Sequence, residues 1–298
     1  MRIVVRLSLL LAISAVALPG FAGPYEDGKA AYDRKDYQTA YALLLPLAEQ
    51  GNAMAQWQVG YMTLEGEGAP KDSAVAQVWW VKAADQGLAQ AQCNLGQMFE
   101  FGWGGIAKDQ ATAFGWYLKA ANLGHNTAQG QLARMYEEGR GVEKDLAQAY
   151  VWRFVYLHAD SDSSSLAPLA QAMTSQQITE AQDNGVAFIQ ARAEQGDVQA
   201  QLDIGEILLK KNDLAASTAW FRKVADQGNQ FGQISMGQAY EGGRGVPQDV
   251  VEAYKWYTLA FKNGEDYAGD SRSFLAKKMT PDQIAEGERR AAEWKQPN

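Results

Sequence analysis

Four Gly-x-Gly triplets, at 66–68, 102–104, 139–141 and 243–245, are the first residues in this sequence whose type and spacing suggest chemistry. Glycines so spaced can let consecutive backbone N–H groups cradle a phosphate. Paired aromatics such as Trp79-Trp80 and Trp116-Tyr117 suggest a platform for sugar rings, and His125 and His158 are the only histidines. Asp160 and Asp162, in the loop HADSDSSS (158–165), offer carboxylates to calcium, and Cys93 is the single thiol. The surrounding sequence argues against each. The triplets lie between helical stretches, not between a strand and a helix, and so read as turns. The aromatics recur once per repeat at helical spacing, which marks core between helices. Neither histidine has a Ser/Asp or Cys partner pattern suited to nucleophilic catalysis, and both are expected at the surface. The 158–165 loop lacks the glycine and final glutamate of a helix–loop–helix calcium site and reads as flexible. Glu137 and Glu138 precede a turn and read as solvated ends. No catalytic residue, cofactor box or metal site is therefore expected.

The elements that position these residues are repeats. EEGRGVEKDLAQAYVWR (137–153) returns 104 residues later as EGGRGVPQDVVEAYKWY (241–257). Asp72 leads to Trp79, Asp109 to Trp116, Asp145 to Trp152 and Asp249 to Trp256, always seven residues on. Glycines at 51, 87 and 124 follow the ends of successive units, giving a period of 36 and then 37. Glycine adopts the left-handed conformation beyond a helix end without penalty. Each unit thus reads as two helices. Helix A carries Ala-Gln-x3-Gly, as in AQWQVG (55–60), AQCNLG (91–96) and AQLDIG (200–205). The glycine turn follows, and the Asp caps helix B through its side-chain oxygen. Small residues at 60, 96, 133, 205 and 237 let the paired helices approach. Such a pair cannot bury its apolar face alone, and stacking completes the core.

Residues 25–51 and 197–228 lack the glycine insertion and read as plain tetratricopeptide-type hairpins. The segments 149–182 and 253–288 each run through a polar loop into Met-Thr and then Gln-Ile. Thr174 with Gln177, and Thr280 with Gln283, fit capping boxes, so these read as terminal helices covering a stack. The expected order is a first array, 23–190, with a short hairpin 25–51, repeats 52–87, 88–124 and 125–160, and capping helices 161–190. A second array, 191–298, has a short repeat 197–228, a repeat 229–264 and capping helices 265–298.

Residues 1–22 read as a secretory signal peptide: Arg2 and Arg6, the apolar run LSLLLAISAVAL, then small residues at 20–22. Removing them, with their two arginines and no acid, takes the formal charge from −8 to −10. That acidity argues against nucleic acid or an anionic membrane as partner. No later run of about 20 apolar residues would span a bilayer. Cys93 is internal, so it offers neither lipid attachment at the cleavage site nor an intramolecular disulfide.

The chain resembles the Sel-one-like repeat family, close relatives of tetratricopeptide repeats. The match is carried by Gly139-Arg140-Gly141-Val142, Asp145, Ala149 and Trp152 in one unit, and by Leu95-Gly96, Phe99, Asp109, Ala113, Trp116-Tyr117 and Lys119-Ala120-Ala121 in another. The resemblance implies an all-α, right-handed α/α superhelical solenoid that serves as an adaptor between proteins, in an exported bacterial type. A cysteine-rich branch carries one disulfide per repeat; Cys93 lies near one such position but has no partner.

Two sets of residues remain. Gln56, Gln92, Gln129, Gln201 and Gln233 hold one position in five helix A segments, which points to a shared hydrogen bond tying units together. Relatives line a concave groove with helix A, so positions there that vary are the candidates for partner contact. They are Gln58, Tyr61, Asn94, Gln97, Phe101, Gln131, Arg134, Asp203, Glu206 and Gln238. The expected protein is a periplasmic or secreted, non-enzymatic scaffold that holds envelope proteins or peptides without a cofactor. The alternatives are a module binding cell-wall glycan through Tyr61 and Phe101, and an envelope hydrolase of β-lactamase type.

Overall fold

The computed structural model describes residues 23–158 and 164–296; among them are sixteen α-helices and no strand. The leader reading of 1–22 and the carboxylates Asp160 and Asp162 lie outside the described residues. The all-α solenoid of tandem helix pairs is borne out. Contacts divide the chain into two units, one running to His125 and the other from Asn126.

In the first unit α1 (Pro24–Asp33), α2 (Tyr37–Glu49), α3 (Ala53–Glu65), α4 (Ser73–Asp85), α5 (Ala89–Phe101) and α6 (Gln110–Asn122) each pack on the next. The second unit opens with the hairpin α7 (Asn126–Glu138) and α8 (Leu146–Tyr156), followed by the short α9 (Ala167–Gln171) and the long α10 (Ser175–Glu194). It continues through α11 (Val198–Lys210), α12 (Leu214–Asp226), α13 (Gln230–Gly242) and α14 (Val250–Lys262). The last two helices, α15 (Asp266–Ala276) and α16 (Pro281–Glu293), both pack on α14. Helix α10, whose segment reads as a cap, packs against both α8 and α11. It covers one hairpin and carries the stack to the next.

Most of these helices have 13 residues, a length that is marginal in water without partners. Their ends are fixed by the residues the sequence singles out. Asp72 and Asp145 each accept from two backbone N–H groups, at 2.9 and 3.0 Å, and Asp249 does the same. Asp109 accepts from Thr112 N at 3.0 Å. Both capping boxes, Thr174/Gln177 and Thr280/Gln283, form in full.

Packing explains the helix A glycines. A Cβ at Gly60 would fall 2.6 Å from the Trp80 ring, at Gly96 2.7 Å from Tyr117, and at Gly237 2.5 Å from Tyr257. In these three pairs the ring of helix B therefore lies directly on the backbone of its helix A. In the first two full repeats the fully buried ring is Trp80 or Tyr117, and the aligned Trp79 and Trp116 are only half-buried. Neighbours on a helix point about 100° apart at 3.6 residues per turn, so one of each pair faces the partner helix and the other its flank. The flanking rings carry the ammonium groups of Lys82 and Lys119 at 4.3 and 4.1 Å.

Candidate functional site

The glycine turns are occupied by packing. Gly66 N and Glu67 N both donate to Met62 O, at 2.9 and 2.8 Å, and Gly139 N and Arg140 N donate to Met135 O at 2.9 and 3.0 Å. The N–H groups that would face a phosphate are thus spent on the last carbonyls of helix A. The second glycine presses on the preceding pair: a Cβ at Gly68 would lie 2.1 Å from Tyr37 O, and at Gly245 2.1 Å from Leu214 O.

The repeated glutamines form the expected ties. Nε2 of Gln56, Gln92 and Gln201 donates to Ala48 O, Ala84 O and Ala193 O, each at 3.0 Å and each at the end of the preceding packed helix. Gln56 Oε1 in turn accepts from Gln86 at 2.7 Å and Gln201 Oε1 from Gln227 at 2.8 Å, so these two ties span three helices; Gln233 Oε1 accepts from Asn263 at 3.0 Å, but its Nε2 is buried without a partner. For Gln92 the corresponding donor position is Leu123, which has no side-chain N–H, and Gln92 Oε1 is buried without a partner.

His125 is half-buried rather than at the surface, and burial lowers its imidazole pKa. His158 is exposed, as read, but its Nδ1 lies 3.1 Å from Asp203 Oδ2 on α11, and that hydrogen bond raises its pKa. This pairing joins residues 45 apart and had no local sequence signal. Cys93 is buried; desolvation and then the Glu100 charge push its thiol up to about 12. Such a thiol is a poor nucleophile at neutral pH.

The variable helix A residues gather in grooves. Tyr61 and Leu64 from α3, Asn94 and Gln97 from α5, and Trp103 from the turn after α5 line an open groove of about 410 Å³. Phe101 stands at its edge, 48% exposed, with its ring stacked on Trp103 at 6.3 Å and 22°. The Asn94 amide, oriented to satisfy both neighbours, donates to Gln90 O at 3.2 Å and accepts from Trp57 Nε1 at 3.3 Å. In the second unit Gln131 and Arg134 line another groove of about 410 Å³ with Arg153 and Tyr156. Glu206 and Gln238 flank a slot of about 30 Å³ between α11 and α13, and Gln238 also borders a larger groove of about 640 Å³. Two of the ten do not share the exposed face. Gln58 is buried, and Asp203 is buried while accepting from Gln199 at 2.9 Å and pairing with His158. Position −2 from the helix A glycine is thus not uniformly open. The sequence reading missed Leu64 and Trp103: Leu64 keeps the helix A register at +4, but Trp103 lies in an irregular turn that no periodicity reaches.

A family model described as Sel1 repeat matches residues 21–52, 53–88, 89–125, 127–152, 200–229 and 231–265. No curated protein matches the chain. Among solved structures, it is similar to a protective antigen of uropathogenic Escherichia coli strains displaying an SLR fold, at 27% identity and TM-score 0.45, over 90% of this chain. The chain spans 59% of that protein's length. It is similar also to a Sel1 repeat protein from Oxalobacter formigenes, at 26% identity and TM-score 0.42, over 93% of this chain and 100% of the other. No helix among the described residues is long and apolar enough to cross a membrane.

Proposed function

The chain belongs to the Sel1 repeat family, and we propose from that premise that it is an exported, non-enzymatic scaffold whose helix A grooves hold segments of partner proteins. The observation that carries this reading is the first-unit groove, with Tyr61, Leu64 and Trp103 as its apolar wall and Asn94 and Gln97 as its carboxamides. Carboxamides offer both a donor and an acceptor, matching the peptide groups of a bound segment. Aromatic anchors flanked by polar groups are the composition of an interface centre. A groove lined by two successive helix A segments suits an extended strand or one helix face. The partner class is protein or peptide in the bacterial envelope, with no cofactor in the contact.

Peptide-display selection on the purified chain, followed by titration of the selected peptide, tests this. Tyr61→Ala and Gln97→Ala should each weaken binding, and Tyr61→Ala by about tenfold or more if the ring is a hot spot. Peptidoglycan fragments should not compete. Selected peptides that bind both variants as well as the parent, or fragments that displace them, would point to another surface or to a glycan ligand. Export is tested by sequencing the N-terminus of the protein recovered from cells. The reading requires cleavage near residue 22, and a retained Met1 contradicts it.

A further inference from the structure

The last groove of the second unit has the register of the first-unit groove but a different chemistry. Gly60 and Gly237 hold equivalent places 177 residues apart, each under the ring of its own helix B. The same offset carries Tyr61, Leu64, Asn94 and Gln97 onto Gln238, Glu241, Ser271 and Phe274. All four border the cavity of about 640 Å³ formed by α13, α14 and α15. Helix α15, although part of a segment that reads as a cap, therefore takes the place of the next helix A. It packs on α14 as α5 packs on α4.

The cavity lacks a ring that the first-unit groove has. In the first unit Trp103 enters from the turn and makes an edge contact with Trp80, ring centres 6.5 Å apart. The offset from Trp103 falls on Thr280, the N-cap of α16, so no indole enters here. The space is bordered instead by Tyr257, whose hydroxyl donates to Glu241 Oε2 at 2.9 Å. Asp270 adds a second carboxylate from α15, and Arg244 is the one cation among the lining residues. Tyr267 and Phe274 stand 58% and 55% exposed, far more than a ring with a packing role. Phe274 already holds the Lys278 ammonium 4.2 Å from its ring centre, so it pairs with a cation within its own chain.

Among the residues lining the cavity two carboxylates stand with one cation, Lys278 lies at its edge over Phe274, and exposed rings stand beside the carboxylates. Lysine and arginine side chains match that arrangement, with an apolar stem to cover a ring and a charged head for a carboxylate. We infer that this groove is a second recognition site whose occupant is a lysine- or arginine-bearing segment of a partner protein. The cation sits between Glu241 and Asp270, and its stem lies against Tyr267 and Phe274. The inference rests on the reading of the helix A grooves as interaction surfaces and gives the two units different specificities.

Short labelled Gly-Ser peptides with a central Arg-Arg, Glu-Glu or Ser-Ser pair, titrated by fluorescence anisotropy into the whole chain at physiological salt, provide the test. The Arg-Arg peptide should bind more tightly than the other two. Asp270→Asn and Glu241→Gln should each weaken it about two- to fivefold, as expected for partly exposed charge pairs. Tyr61→Ala, in the other groove, should leave it unchanged. Asp270 is exposed and holds no helix in place, so its variant reports on binding even if Glu241→Gln disturbs packing through Tyr257. Equal binding of the three peptides, or an Asp270→Asn affinity equal to the parent's, overturns the inference. In that outcome, a selected peptide that still loses affinity with Tyr61→Ala leaves the function proposed above standing.

Discussion

Single residues carry the close contacts of this fold. Gly96 brings Tyr117 against the α5 backbone, and the buried Tyr117 hydroxyl donates to Glu100 Oε2 at 2.6 Å. Gly96→Ala would place a methyl where the ring now lies, and overpacking of this kind costs about 1–3 kcal/mol. Urea unfolding should show that loss as a lower midpoint; an unchanged midpoint would mean that the helices have room to part. His158 gives the residue scale a pH dependence. Its partner Asp203 raises its pKa above the ordinary value of about 6.5. A group with a raised folded-state pKa contributes stability that is fully present below its unfolded pKa and fades as pH rises through the folded one. The stability difference between the parent chain and Asp203→Asn should therefore be larger at about pH 5.5 than at about pH 8.5. A difference that is flat, or that grows with pH, would show that the contact does not use the imidazolium.

Helices A and B are set by opposite devices, a left-handed glycine at the end of one and an aspartate at the start of the other. Gly66, at φ +81°, closes α3, and Asp72 opens α4. Removing such a cap costs about 1 kcal/mol. Asp72→Ala and Asp249→Ala should each lose about that much by chemical unfolding, and losses near zero would place the helix starts under packing control instead. At this scale the sequence was most legible. Caps, capping boxes, glycine contacts and the glutamine ties all depend on residues close in the chain or on an exact repeat, and the structure holds them, with Gln92 Oε1 and Gln233 Nε2 left without a partner. Helix α15 was harder to read as a groove wall. Where α5 has Gln92 and Gly96, α15 has Gly269 and Ser273, so the helix A signature is absent although the packing place is kept. Trp103 and the His158–Asp203 pair escaped for a related reason: an irregular turn and a contact across 45 residues leave no period to follow.

Within each unit of the molecule, the glycines and rings build the core, which frees the helix A positions between them to vary. The first-unit groove sets Glu65 and Lys71 beside its aromatics and carboxamides; the last sets two carboxylates and Arg244 beside its aromatics. A repeat scaffold in which each unit contacts only its neighbours tolerates such variation without loss of fold. That separation of frame from surface is the central claim, and it is tested most directly by site-specific photocrosslinking in living cells. A photoreactive residue at Gln97 or Phe101 lies in or beside the first-unit groove, and one at Val78 is 54% exposed on α4, outside the residues lining it. The account predicts a defined protein adduct from the groove positions that disappears with Tyr61→Ala, and none from Val78. Adducts of equal yield from Val78, or groove adducts indifferent to Tyr61→Ala, would contradict it.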